Sequence, residues 1–398
     1  MIRDGFYAGV LLLCAIAGPA TAQGTDIAVA PNASESAFDG LFDRFLALAE
    51  TEPRDPDAEQ ALRADVQAQA EQGLGNAMNL LGVITDTDFG GPANPEAAYA
   101  IFQDAAALGD AGGNINVAIR DLLSWDEDRQ VSAVTRLRRL LERDDLQDGL
   151  PDLIIGYLGV AAFFEVDGTT DDLAEALELV SAGLQADPRN SLFNRTAGQL
   201  LESGEAGPRN PAAALSHYQA AGLAGDGFSA WKAGMMLING DGVSANEEEA
   251  FLWVQRSAET GYDDGLISLA VMHAVGQGTP VNAPEARTLY RNAASRGNLH
   301  AMRGLGSMLV FGEGGPDEPR MGVALLQMAA QRGDLYAIDI MQRLQPHLPA
   351  DPAWQQGVDD AGRAFLDNYG LTPDSLYGQQ ATPPIAPTVI PARSDDPQ

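Results

Sequence analysis

Apolar positions along this chain recur at spacings of three, four and seven, the pattern of amphipathic helices. Period-two alternation is scarcely seen, so helices are expected and strands are not. Four segments close a helical pattern alike: Ala-Ala-Gly-Leu-Ala-Gly at 220–225, Ser-Ala-Glu-Thr-Gly at 257–261, Ala-Ala-Ser-Arg-Gly at 293–297 and Ala-Ala-Gln-Arg-Gly at 329–333. Their closing glycines, Gly225, Gly261, Gly297 and Gly333, stand 36 residues apart, and Gly73 and Gly109 repeat the interval. A second series, Gly168, Gly204, Gly240, Gly276 and Gly312, also steps by 36. Between the closing glycines 109 and 225 the phase slips by eight residues, and 120–190 is the divergent stretch.

The columns of this repeat carry physical content. Four residues after each closing glycine comes a small residue: Ala77, Gly113, Ser229, Gly265, Ala301 or Ala337. Nine after it comes another, Gly82, Ala118, Gly234, Ala270 or Gly306. Small residues on one helical face let neighbouring helices approach closely, while Leu81, Leu269, Leu305, Met236, Met272, Met308, Phe102, Tyr218 and Tyr290 fill between them. Each unit therefore reads as helix, glycine-rich turn, helix, glycine turn. Two helices cannot bury an apolar face alone, so the units must stack into a solenoid.

With these columns in place the chain resembles Sel1-like repeats, relatives of the tetratricopeptide repeat. The fullest match is 297–333, with Ala301, Leu305-Gly306, Gly312-Glu313-Gly314, Ala324, Ala329-Ala330 and Gly333. The resemblance is strong over about 65–120 and 194–345 and weaker over 121–193, which looks more like a plain tetratricopeptide unit. It implies an all-α, right-handed superhelical solenoid over 37–345, of about seven to eight helix pairs. It also implies a protein-binding scaffold; periplasmic relatives act in envelope regulation, exopolysaccharide control and host interaction. Some cysteine-rich secreted relatives are linked to penicillin binding and β-lactam hydrolysis. The cysteines that define them are missing here.

The ends read differently. Residues 1–22 have the form of a secretory signal, with Arg3, an apolar run of 13 residues from Phe6 to Gly18, and Ala20-Thr21-Ala22 at the cleavage site. The run is too short to span a bilayer, which takes ~20 residues. Export to the periplasm of a Gram-negative bacterium, or secretion, is the expectation. The single cysteine, Cys14, lies inside the signal. Lipidation there would want a small residue in place of Leu13. Residues 23–36 read as a flexible linker, 37–50 and 57–72 as an opening helix pair with Ser36 as a cap, 346–371 as a short helical extension, and 372–398 as a Pro-rich disordered tail.

Charge narrows the partners. The chain has 56 Asp and Glu against 24 Lys and Arg, a net charge of −32, and Lys232 is its one lysine. Such a surface repels phosphate backbones, so nucleic acid is not expected. The four histidines, His217, His273, His300 and His347, fall in different units without metal-ligand spacing. Asp86-Thr87-Asp88-Phe89-Gly90-Gly91 begins like a calcium loop but has glycine at position five and Ala97 at position twelve. The runs Asp126-Glu127-Asp128 and Glu247-Glu248-Glu249 read as solvated helix starts. With no nucleophile elbow and no phosphate loop, neither catalysis nor a cofactor is expected. The rival reading is a cell-envelope enzyme or ligand-binding protein acting on peptidoglycan or β-lactams.

One stripe is set apart from the small-residue face. Offsets three, six and ten after the closing glycine carry Phe228, Trp231 and Met235 in one unit and Asp264, Ile267 and Val271 in the next. His300, Arg303 and Ser307 follow in the third. First helices line the concave surface of tetratricopeptide-like solenoids, where peptides dock. The expected partner site on a monomer is therefore Phe228, Trp231, Lys232, Met235, Ile267, Val271, His300 and Arg303. The competing reading packs the same apolar side chains between adjacent first helices.

Overall fold

The computed structural model describes residues 33–377, apart from 50, 52 and 147–148. The signal at 1–22, most of the linker and residues 378–398 of the tail lie outside the described residues. Among those described, the chain is a succession of antiparallel helices, and its one β contact is an isolated bridge. The chain forms two compact units, Met1–Gly225 and Asp226–Gln398, so the boundary falls on a closing glycine.

In the first unit the helices are α1 (Ala33–Ala49), α2 (Pro56–Ala70), α3 (Gly75–Asp86), α4 (Pro95–Ala107) and α5 (Ala111–Leu122). They continue as α6 (Glu127–Leu141), α7 (Leu150–Phe163), α8 (Leu173–Ala186), α9 (Ser191–Ser203) and α10 (Pro211–Leu223). The second unit holds α11 (Gly227–Asn239), α12 (Glu247–Glu259), α13 (Asp263–Val275), α14 (Ala283–Ala294), α15 (Leu299–Phe311), α16 (Pro319–Gln331), α17 (Leu335–Leu344) and α18 (Pro352–Tyr369). Helix α1 starts at Ala33, so Ser36 lies inside it rather than capping it. Odd-numbered helices are the first of each pair, and within each unit some touch the next directly, as α3 touches α5 and α11 touches α13.

The small-residue columns have separate jobs. The residue four past the closing glycine faces the preceding helix: a Cβ on Gly113 would lie 2.7 Å from the Ala105 Cβ, and one on Gly265 2.8 Å from the Ser257 Cβ. The residue nine past it faces the following helix. A Cβ on Gly234 would lie 2.6 Å from Val254 Cγ2, and one on Gly306 2.8 Å from the Gly322 carbonyl. Aromatics of the second helices sit on glycines in the same way, Phe102 on Gly82 and Tyr218 on Gly198. Every glycine of the two 36-residue series has positive φ, for instance Gly297 at 96° and Gly312 at 70°. Those turns stop one helix and reverse the chain into the next.

Asp or Asn then restarts the helix by accepting the third amide. Asp226 takes Ser229 N at 2.7 Å, Asn298 takes Ala301 N at 3.1 Å and Asp334 takes Ala337 N at 2.8 Å. The repeat ends after α17, and α18 packs on α16 through Val358 against Val323 and Ala324. Residues 372–377, expected as the start of a disordered tail, are instead held against the second unit.

Candidate functional site

Helices α11, α13 and α15 present the offset-three, -six and -ten positions of three successive repeats within the second unit. Phe228, Trp231, Lys232, Met235 and Ile267 are half-buried there, and Val271 is 40% exposed. Phe228, Trp231 and Tyr262 form a cluster with ring centroids 6.1–6.2 Å apart, Phe228 and Tyr262 meeting edge to face. Trp231 Nε1 donates to Ser268 Oγ at 3.0 Å, tying α11 to α13. Packing between first helices and partial exposure to solvent thus coexist in these side chains. Each ring is fixed on one side and open on another.

His300 and Arg303 do something further along. His300 Nδ1 lies 3.0 Å from Asp334 Oδ2, while Arg303 Nη1 donates to both Asp334 oxygens, at 2.7 and 3.0 Å. Arg303 also stands over the exposed Tyr336 ring, 5.1 Å from its centroid. Burial would push the Asp334 carboxyl up, but the Ala337 amide and the Arg303 guanidinium outweigh it and hold it below its ordinary range. These two expected partner contacts therefore also serve the cap of α17. Sequence reasoning did not find Asp334, Tyr262 or Ser268, because each acts through a neighbour about one repeat away.

The candidate ion loop has other occupations. Asp86 pairs with Arg120, Asp88 pairs with Arg54 at 2.8 Å, and Phe89 is fully buried. Among the described residues no three His, Cys, Asp or Glu side chains come together as a metal-ligand set. Glu247 accepts from Gln277 at 3.0 Å and Asp126 caps α6. His217, half-buried beside Asn194, is held below its ordinary pKa by desolvation.

Five segments match the Sel1 repeat model: 75–110, 194–226, 227–262, 264–298 and 299–334. The chain carries Sel1 repeats. All five lie where the 36-residue columns are intact, and none falls in 121–193. Sel1 repeat proteins bind other proteins and generally act as non-catalytic scaffolds. The chain is similar in structure to a protective antigen of uropathogenic Escherichia coli with an SLR fold, at 19% identity and a TM-score of 0.42, over 85% of this chain and 81% of that one. It is also similar to a Sel1 repeat protein from Oxalobacter formigenes, at 19% identity and a TM-score of 0.47, over 79% of this chain and 88% of that one. Among curated proteins none matches. No helix of the described residues is long and apolar enough to cross a membrane.

Proposed function

We propose that this chain is an exported, periplasmic scaffold that binds a protein partner on its first-helix face and catalyses nothing itself. The observation that carries this reading is the Phe228–Trp231–Tyr262 cluster, with Met235, Ile267 and Val271 beside it, on repeats of a protein-binding family. Large rigid aromatics that keep an open side are the usual anchors of a protein interface. Lys232, the one lysine in a chain of net charge −32, stands beside them. Export rests on the signal-like residues 1–22, and a role in envelope regulation or exopolysaccharide control is the corresponding setting.

Trp231→Ala tests the face. Partner affinity should fall by about 1–2 kcal/mol while helicity is kept and stability drops only by the about 1–2 kcal/mol of one hydrogen bond and one aromatic contact. A stability loss of about 3–5 kcal/mol would mark the ring as core and end the assignment. Cell fractionation with N-terminal sequencing of the mature chain checks export, and nitrocefin or muropeptide hydrolysis by the isolated protein would favour the enzyme instead.

A further inference from the structure

Helix α18 ends at Tyr369 with Gly370 as its cap, and the chain then runs back along the edge where second helices turn into first helices. Leu371–Tyr377 crosses that edge at three successive repeats. Beside the Gly333 turn, Arg332 donates to the Pro373 carbonyl and pairs with Asp374 at 3.2 Å. At the Gly297 turn the contact is main chain to main chain: Tyr377 N donates to the Gly297 carbonyl at 3.0 Å and Leu299 N to the Tyr377 carbonyl at 2.8 Å. This is the parallel bridge to Asn298. Just past the Gly261 turn, the Tyr377 hydroxyl donates to Asp263, 114 residues away in sequence.

The edge is shaped for such a segment. A Cβ on Gly297 would lie 2.9 Å from the Ser375 carbonyl and 3.6 Å from Leu376 Cα, so the turn glycine also makes room for an approaching chain. Leu299 N belongs to the first turn of α15, where helix geometry leaves amides without an internal partner. The other Asp263 oxygen faces Arg296 Nη1 at 3.1 Å, and Arg296 in turn donates to the Gly261 carbonyl at 2.8 Å. The carboxylate is thereby held in place to receive a hydroxyl. Leu376 is buried against the same edge. Burial, then the bond to Asp263, push the Tyr377 phenol well above its ordinary pKa, so it stays a donor throughout the physiological range.

We propose that the edge formed by Gly297–Leu299, Asp263 and Arg332 is a docking site for an extended peptide carrying a Leu-Tyr pair, and that residues 371–377 occupy it in cis as a displaceable cover. Its recognition chemistry is a two-bond main-chain bridge, an aliphatic seat and a carboxylate that accepts a phenol. It uses none of the residues of the first-helix face, so it stands whether or not that face binds a partner. The segment's own hold is two main-chain bonds, the buried Leu376, one phenol and one guanidinium. A competing peptide with the same groups needs to replace only these.

The test uses the full chain and a synthetic peptide of residues 370–379, labelled at its N-terminus. In the full-length variant Leu376→Ala, Tyr377→Ala, the cis occupant loses its seat and its phenol, and the peptide should bind. Wild-type chain should bind it at least about tenfold more weakly, because the tethered segment competes at high effective concentration. Replacing the peptide's tyrosine by phenylalanine should weaken binding to the variant several-fold, about what loss of a charge-assisted hydrogen bond implies. Adding Asp263→Asn to the variant should erase that discrimination, which a purely structural role for Asp263 would not do. Equal binding to wild type and variant, or no binding to either, overturns the proposal. If the double variant loses helicity, full-length Tyr377→Phe serves as the loosened chain and must bind the tyrosine peptide better than wild type does.

Discussion

The repeats at 227–334 and the stretch at 127–186 share close glycine contacts but differ in their turns and in the size of the side chains around those contacts. In the former, helices meet through glycine and alanine, and chain reversal is assigned to positive-φ glycines at fixed intervals. In the latter, α7 and α8 also approach closely, Gly156 against Gly183 and Gly159 against the Ala176 carbonyl, but Val134, Leu137, Leu140, Leu153, Ile154, Tyr157, Val160 and Val180 form one buried cluster of larger side chains that takes in α6. The loops differ to match. The turn from α5 to α6 is short and the link from α6 to α7 long, whereas in the regular repeats the turns within pairs are long and those between pairs short. After α7 the left-handed position is filled by Glu165, at φ 55°, where the regular first helices end on glycine. A solenoid's periodicity thus reports the spacing of its turns rather than its helices. Helices survive where the period is lost.

Substitutions can break this contrast, and the largest effect belongs to the divergent stretch. Ile154→Ala removes a fully buried side chain from the large-residue cluster and should lower unfolding free energy by about 2–5 kcal/mol in urea titration. Gly234→Ala, a harmless change in an open helix, should cost about 1–3 kcal/mol, because its Cβ would meet Val254 Cγ2 at 2.6 Å and the Ala250 carbonyl at 3.1 Å. At Gly40, where a Cβ meets nothing within 4 Å, the same change should be stabilising instead.

The left-handed positions give a smaller, two-signed pair. Gly312→Ala, at φ 70°, should destabilise by about 1 kcal/mol, while Glu165→Gly should stabilise by up to about 1 kcal/mol, both read from melting curves. The smallest effect expected is a pH dependence carried by His217 in the regular repeats, a kind of group that 121–193 lacks. Burial lowers the His217 pKa in the folded chain. The unfolded chain therefore takes up the proton first, and the contribution is fully present above about pH 6.5 and lost as pH falls through the folded value. Stability measured from pH 7.5 down to 5 should fall in wild type and fall less in His217→Gln.

How much could be read in the sequence follows from the range of each interaction. The 36-residue columns gave the helix pairs, the turn glycines and the small-residue contacts, because helix capping, left-handed φ and i, i+4 faces are local. The offset stripe located Phe228, Trp231 and Met235 on a first helix, but Tyr262, whose ring joins them from the turn after α12, was not expected there. Ser36 was misplaced as a cap, since α1 starts earlier at Ala33.

What only the tertiary structure decided is of another kind. Leu376 and Tyr377 stand in a proline-rich, aperiodic stretch with no helical face, so their sequence context gives no sign of order. They are ordered because Gly297 leaves room, Leu299 offers an unpaired helix-start amide and Asp263 accepts a phenol from 114 residues away. The sequence by itself determined the repeating unit, since a unit is made by residues within about 36 positions of one another. Which edge of the stack the returning chain covers was set by packing, since that depends on groups brought together only after the units have stacked.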